Sequence, residues 1–280
     1  MNINNAILDG TKFLKKNHIK FPGLDSEILL ANVLKKKREY IILNLNKNIK
    51  KETLKYFQEM IRQRSLGKPI AYLIGKKNFW NSEFEINEGV LIPRPDTEIL
   101  IQETLRLYKH KKYANILDIG VGSGCILLSI LNEKPGFYGT GIDISEKSIS
   151  LSKKNTKKFG LINKVKLIKT DVDNFCFGKY DLILSNPPYI KKNEIKYLEK
   201  DVVDFEPNLA LNGGLDGTLK IYKTIKKAST LLKKNGKLIL EISHNQRAEV
   251  IKLLKQEGFY INKTIKDYAQ KDRCIVSTKI

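Results

Sequence analysis

The chain has 280 residues, 41% of them apolar and 29% charged. That suffices for two cores at ~150 residues per domain and excludes an intrinsically disordered chain. Uninterrupted apolar stretches such as 126–128 fall far short of the ~18 residues that a membrane helix needs. The opening residues carry neither a basic leader nor a hydrophobic signal core, so secretion is not expected.

Lysine and arginine total 51 against 30 acidic residues, a formal net charge of +21. Such an excess invites a nucleic-acid reading, because lysines release counterions from phosphate. Its make-up argues otherwise. Seven of the basic residues are Arg and 44 are Lys, and Arg is the residue of bidentate phosphate and base recognition. The lysines are also spread along the whole chain. We read a solvated lysine coat that steers the protein toward acidic partners, without specific DNA binding. Cys125, Cys176 and Cys274 are far apart, which excludes a disulfide scaffold or a zinc knuckle and fits a reducing cytoplasm.

The first seventy residues predict a small helical bundle. Asp25 and Ser26 are candidate caps for a segment with Leu29, Leu30, Val33 and Leu34 at helical spacing. A second helix is expected over 52–66, closed by Gly67 and Pro69. From 78 to 90 the pattern alternates, with a turn signal at Asn87-Glu88-Gly89, and predicts a β-hairpin between two domains. Asp96 or Thr97 is then the expected cap of a helix beginning near Glu98.

Beyond Ala114, strands and helices alternate. Strands are expected over 115–119, 138–144, 165–170, 180–185 and 237–242. Helices are expected over 123–133, 146–159, 219–232 and 247–257, and two strand-like runs follow Phe259. The fold class is therefore α/β: a Rossmann-like domain with a mostly parallel sheet and helices on both faces, plus the helical bundle and the hairpin linker. The boundaries expected are residues 1–75 for the helical, substrate-recognising domain, 76–95 for the hinge and 96–280 for the α/β domain. Ligands of such sheets bind at the carboxyl ends of the strands.

Two constellations carry chemistry. Asp118-Ile119-Gly120-Val121-Gly122-Ser123-Gly124 follows a strand and opens a helix. Its Gly-x-Gly-x-Gly spacing departs from the dinucleotide fingerprint. An acidic residue so near the loop suits a cationic ligand rather than a pyrophosphate. Asp143 ends the next strand, where a carboxylate accepts both ribose hydroxyls. A cationic nucleoside without phosphates describes S-adenosylmethionine. The second constellation is Asn186-Pro187-Pro188-Tyr189 at the end of a strand. A carboxamide or aryl amine nitrogen is a poor nucleophile because its lone pair is delocalised. The Asn186 side-chain carbonyl and the Pro187 backbone carbonyl can accept its two N–H hydrogens and favour the pyramidal nitrogen of the transition state. The prolines stiffen the loop, and Tyr189 can pack on the planar group. Alignment of nucleophile and methyl can supply ~7–11 kcal/mol of the barrier. His18, His110 and His244 share no metal-binding spacing, and no metal is expected.

The chain resembles the HemK/PrmC family, the protein-(glutamine-N5) methyltransferases of peptide chain release factors. The resemblance rests on Gly67-Lys68-Pro69-Ile70-Ala71-Tyr72-Leu73-Ile74-Gly75, Phe79-Trp80, Pro93-Arg94-Pro95-Asp96-Thr97-Glu98, the glycine loop, Asn186-Pro187-Pro188-Tyr189, Phe205-Glu206-Pro207 and Gly213-Gly214-Leu215-Asp216-Gly217. It implies a cytoplasmic enzyme that moves a methyl group from S-adenosylmethionine, leaving S-adenosylhomocysteine. The acceptor it implies is the glutamine of the Gly-Gly-Gln loop of class 1 release factors, near the ribosome. By motif match, Gly120, Val121, Gly122, Ser123, Gly124, Asp143, Val172 and Asn186 would contact the donor, and Asn186, Pro187, Pro188 and Tyr189 the glutamine. Val121, Cys125 and Val172 depart from the more usual residues of the family. The alternatives are a nucleic-acid amine methyltransferase, acting on adenine N6 or ribosomal guanine N2, and a ribosome-associated factor that binds S-adenosylmethionine without turnover.

Overall fold

The computed structural model describes residues 1–280. They form two compact units, residues 1–76 with 199–205, and residues 77–198 with 206–280.

The first unit holds α1 (Ile3–Lys16), α2 (Pro22–Val33), α3 (Arg38–Leu43), α4 (Lys51–Ser65) and α5 (Ile70–Ile74). Leu14, Leu29, Leu30, Ile41, Phe57 and Ile61 pack into its core. A Cβ on Gly10 of α1 would fall 2.6 Å from Ser26 Oγ and 3.1 Å from Phe57, so α1 reaches its neighbours only by lacking a side chain there. The expected cap at Asp25 or Ser26 is corrected: α2 begins at Pro22. Proline is pre-set for the first helical turn, where its missing N–H is no loss. Asp25 is instead buried inside the helix and accepts from Arg64 Nε at 2.7 Å, and the Ser26 hydroxyl donates to Ile7 O. Gly67, at φ +100°, follows the end of α4.

The hairpin pairs β1 (Lys76–Phe79) with β2 (Ser82–Glu85). Its turn is at Trp80-Asn81; the turn expected at Asn87-Glu88-Gly89 is present, with Val90 N donating to Asn87 O at 3.4 Å, but it lies beyond β2 and does not join the two strands. Trp80 adopts φ +52°. That strain is held by distant partners. Trp80 N donates to Glu98 Oε1 and Trp80 Nε1 to Glu133 Oε1, each at 2.8 Å. No local sequence signal reports such partners.

The remaining elements are α6 (Glu98–Leu107), β3 (Ala114–Ile119), α7 (Cys125–Glu133), β4 (Phe137–Asp143), α8 (Glu146–Lys158), β5 (Val165–Lys169) and β6 (Tyr180–Ser185). They continue with α9 (Lys200–Phe205), α10 (Asn208–Leu211), α11 (Leu219–Leu231), β7 (Leu232–Glu241), α12 (Arg247–Gln256), β8 (Phe259–Lys266) and β9 (Asp272–Lys279). Helix α9 belongs to the first unit. The seven-stranded sheet has the order β5-β4-β3-β6-β7-β9-β8. Strands β3 to β7 run parallel, and β9 pairs antiparallel with both β7 and β8. Buried strands of this kind read as continuous apolar runs, as in Leu182-Ile183-Leu184 and Leu238-Ile239-Leu240. The α/β class expected from the sequence is the one found.

Three local expectations change. Helix α7 starts at Cys125 rather than Ser123, because Gly120, Gly122 and Gly124 all have positive φ and keep 120–124 a loop. Strand β7 starts at Leu232, where it pairs with Tyr180 before the register shifts. Residues Pro95–Thr97 form a single 3-10 turn into α6 without a side-chain cap; the Thr97 hydroxyl is engaged elsewhere. No helix is long and apolar enough to cross a membrane.

Candidate active site

The sheet reverses its winding between β3 and β6. Crossovers from β3 lead one way to β4 and β5, and from β6 the other way to β7. A crevice opens at such a switch point, outside the carboxyl ends of the strands. The register places Ile119 opposite Ser185, and the Ser185 hydroxyl donates to Ile119 O at 2.7 Å. The glycine loop and the Asn-Pro-Pro-Tyr segment therefore leave the sheet side by side.

Both line one cleft. Gly120, Val121, Gly122 and Ser123 form one wall, with Asp143 and Val172 beside them. Asn186, Pro187 and Pro188 form another, and Pro93, Thr97 and Pro207 add to it. Gly124 and Tyr189 are not part of the cleft lining. Gly124 faces inward, where a Cβ would meet Leu128 at 2.9 Å and Ser152 Oγ at 3.0 Å. The Tyr189 hydroxyl donates to Glu241 Oε1 at 3.3 Å, and burial raises its pKa. Its ring packs on the core of the sheet, rather than lying over the cleft as the sequence suggested.

The glycine loop is held from α8. The Ser152 hydroxyl donates to Gly122 O at 3.0 Å, and Asn155 Nδ2 donates to Ser123 O at 2.9 Å. Asn155 also exchanges hydrogen bonds with the backbone of Glu85 in the hairpin. Asp143 closes the loop from the other side, accepting from Gly122 N at 3.0 Å and Ser145 N at 2.8 Å. Burial raises the Asp143 pKa, and those amides oppose the rise.

Asp118 is fully buried beneath the loop, and neither of its oxygens makes a hydrogen bond of good geometry. Desolvation pushes its pKa up to about 7, partly offset by the Leu127 N–H and reinforced by the Asp143 charge. On the other strand end, Asn186 Nδ2 donates to Thr97 Oγ1 at 3.2 Å. Thr97 is buried, and beyond it lies Glu241, also buried.

The cleft fits a cationic nucleoside. Cβ atoms built on Gly120 and Gly122 would meet no atom closer than 3.9 Å, so the backbone there is bare toward the space of the cleft. An acidic residue lies beneath the loop and another at its rim. Sequence reading singled out the contiguous motifs. It gave no role to Ser152 or Asn155, nor an individual role to Glu206 and Glu241 within the segments that carry the resemblance, because their contacts run across the fold, and it gave Thr97 a capping role.

The fold and the cleft define a Rossmann-like methyltransferase. The methyltransferase domain model matches residues 110–276, and a methyltransferase from Pyrococcus furiosus shares the fold, with TM-score 0.54 and 18% identity over 79% of this chain and 97% of that one. The PrmC N-terminal domain model matches residues 5–75. The release factor glutamine methyltransferase of Fusobacterium nucleatum is 40% identical over 96% of this chain and 76% of its own. That of Clostridium acetobutylicum is 37% identical over 100% of this chain and 99% of its own. The chain belongs to the release factor glutamine methyltransferase family and is an enzyme.

Proposed function

We propose that the protein methylates the side-chain amide nitrogen of a glutamine in a peptide chain release factor, with S-adenosylmethionine as donor. The acceptor is the glutamine of the Gly-Gly-Gln loop of class 1 release factors, met in the cytoplasm close to the ribosome. The names of the relatives support the release factor. One observation carries the chemistry: the bare glycine loop and Asn186 stand on neighbouring strand ends, and Asn186 Nδ2 is already taken by Thr97. That leaves Asn186 Oδ1 as the acceptor for a substrate N–H.

The donor supplies an electrophilic methyl on a positively charged sulfur. Gly120 to Gly124 form the loop that would hold it, Asp143 would take the ribose hydroxyls, and Val172 would meet the base. Asn186 and the Pro187 carbonyl hold the two acceptor N–H groups so that the nitrogen lone pair faces the methyl. No general base is needed before transfer, since the ammonium-like nitrogen is acidic afterwards. Residues 1–75 are proposed as the domain that recognises the acceptor protein, 76–95 as the hinge and 96–280 as the catalytic domain.

Labelled S-adenosylmethionine, incubated with the enzyme and a purified release factor, is expected to place one methyl group on the Gly-Gly-Gln peptide, read by mass mapping. Label that is absent from that peptide, or that appears in DNA or ribosomal RNA run in parallel, would overturn the reading.

A further inference from the structure

We propose that Gln246 is a positioning residue for methyl transfer, which holds the far end of the Asn-Pro-Pro-Tyr segment so that its carbonyls face the acceptor. The inference rests on the proposed acceptor role of Asn186 and Pro187 and names what keeps them in place.

The segment leaves the sheet at Ser185, the last residue of β6 that pairs with β3 and β7. Beyond Ser185 the ladder no longer fixes the backbone. Pro187 and Pro188 carry no N–H, so neither can anchor the chain by donating a hydrogen bond. Their rings lock φ, and the proline that follows each of them confines Asn186 and Pro187 to extended backbone. The segment is therefore stiff within itself. The direction in which it leaves the strand is set by its far end.

That end is held from two places. Ile190 N donates to Leu211 O at 3.1 Å and Gly213 N to Ile190 O at 2.8 Å, so residues 211–213 run beside the chain after Tyr189. A Cβ on Gly213 would fall 2.8 Å from Pro188 O, and one on Gly217 would fall 2.6 Å from Tyr189 O. Only glycine lets the backbones approach so closely. Gln246 precedes α12 and is 6% exposed. Its Nε2 donates to Tyr189 O at 3.0 Å and to Gly217 O at 3.1 Å, and its Oε1 accepts from Ser243 N at 3.0 Å.

All three partners are backbone groups of fixed polarity. Two carbonyls can only accept and the amide N–H can only donate, so one orientation of the Gln246 amide satisfies them all. A glutamine side chain supplies the two donors and the acceptor together. The bond to Gly217 also ties in the loop after α10, whose Leu209 and Ala210 line the cleft. Gln246 thus fastens two parts of the cleft wall without being part of the lining itself.

The test uses the full chain, below the unfolding temperature of every variant. Gln246→Met keeps the length and removes all three hydrogen bonds. It should lower kcat on release factor by about 100-fold, the scale of a small misplacement transmitted to the reacting groups. KM and the calorimetric donor affinity should stay within about threefold. Gln246→Glu still accepts from Ser243 N. Ionised, it has no hydrogen for either carbonyl; protonated, it donates one. Its rate relative to the parent should therefore rise at least about fivefold as pH falls from about 9 to about 6. A Gln246→Met kcat near that of the parent, a donor affinity that falls in step with kcat, or a flat Gln246→Glu ratio overturns the inference. A further readout does not depend on the acceptor. The Ile190 and Gly213 amides should exchange with deuterium at least about tenfold faster in Gln246→Met, with those of β3 and β6 unchanged. Unchanged exchange at Ile190 and Gly213 overturns the positioning role whatever the substrate, while failure of the parent enzyme to methylate release factor overturns only the proposed function.

Discussion

Arg94 and Glu206 are joined by a side-chain ion pair across 112 residues of sequence. The Glu206 carboxylate, nearly inaccessible, also accepts from Ile92 N at 3.2 Å, and Arg94 Nη1 donates to Ile92 O at 2.8 Å. One carboxylate thus fixes the segment carrying Pro93 and Thr97 against the segment carrying Pro207, and all three of these residues line the cleft. Replacement of Arg94 by alanine leaves a buried carboxylate without its cation. Stability to urea should fall by about 2 kcal/mol, in the range for hydrogen bonds to charged groups. The release factor KM should rise while donor affinity holds. Arg94→Lys should rescue only part of this, because lysine lacks the planar fork that serves Glu206 and Ile92 O together.

Asn186→Ala separates transfer from donor binding. Loss of the acceptor should lower kcat by about 10²–10³-fold. Donor affinity, measured by calorimetry, should change little, since Asp143 and the glycine loop are untouched. A near-normal rate would refute the acceptor role.

Two glycines, one in the loop and one in β4 beside it, should both destabilise when substituted but differ in their effect on donor binding. Gly120 has φ +82°, and a Cβ there would meet no protein atom within 4 Å. Gly120→Ala should lower stability by about 1–2 kcal/mol through backbone strain and weaken donor binding by at least about tenfold, because the methyl occupies the donor's space. A Cβ on Gly141 would meet Val121 Cγ2 at 2.7 Å and Leu167 Cδ2 at 2.9 Å. Gly141→Ala should destabilise by about 1–3 kcal/mol through overpacking. Thermal unfolding paired with donor titration distinguishes the two.

The carboxyl of Asp118 is pushed from 3.8 up to about 7 by desolvation. The folded chain then keeps a proton that the unfolded chain releases. Stability contributed by this group is complete below pH ~4, falls as pH rises from ~4 to ~7, and is level above that. Glu241, raised to about 7 by burial, has the same sign. Asp118→Asn should remove its share of the slope, on the order of 3 kcal/mol between pH 4 and 8. Urea unfolding of parent and variant at both pH values reads it. An unchanged slope would mean that Asp118 is ionised throughout.

Much of the architecture was legible from the chain because it depends on neighbours in sequence. Apolar runs bounded by turn residues mark β3, β4 and β6, and alternation with helices dictates a parallel sheet. Contiguity also made the glycine loop and the Asn-Pro-Pro-Tyr segment readable, since each is a backbone conformation written in successive residues. The hairpin turn at Trp80-Asn81 was not readable: a tryptophan with positive φ is tolerated there only because Glu98 and Glu133 hold it. Likewise Asp25 looks like a cap until Arg64 claims it from α4.

Local chemistry determined that strand ends would present glycines, a carboxylate and an amide, because backbone geometry and residue type are properties of a short stretch. Tertiary structure decided which way those groups are held. Thr97, Glu241, Arg94, Glu206, Ser152 and Asn155 act through hydrogen bonds between segments far apart in the chain. A buried polar atom is satisfied by whatever the fold brings to it, and no spacing along the sequence records that choice.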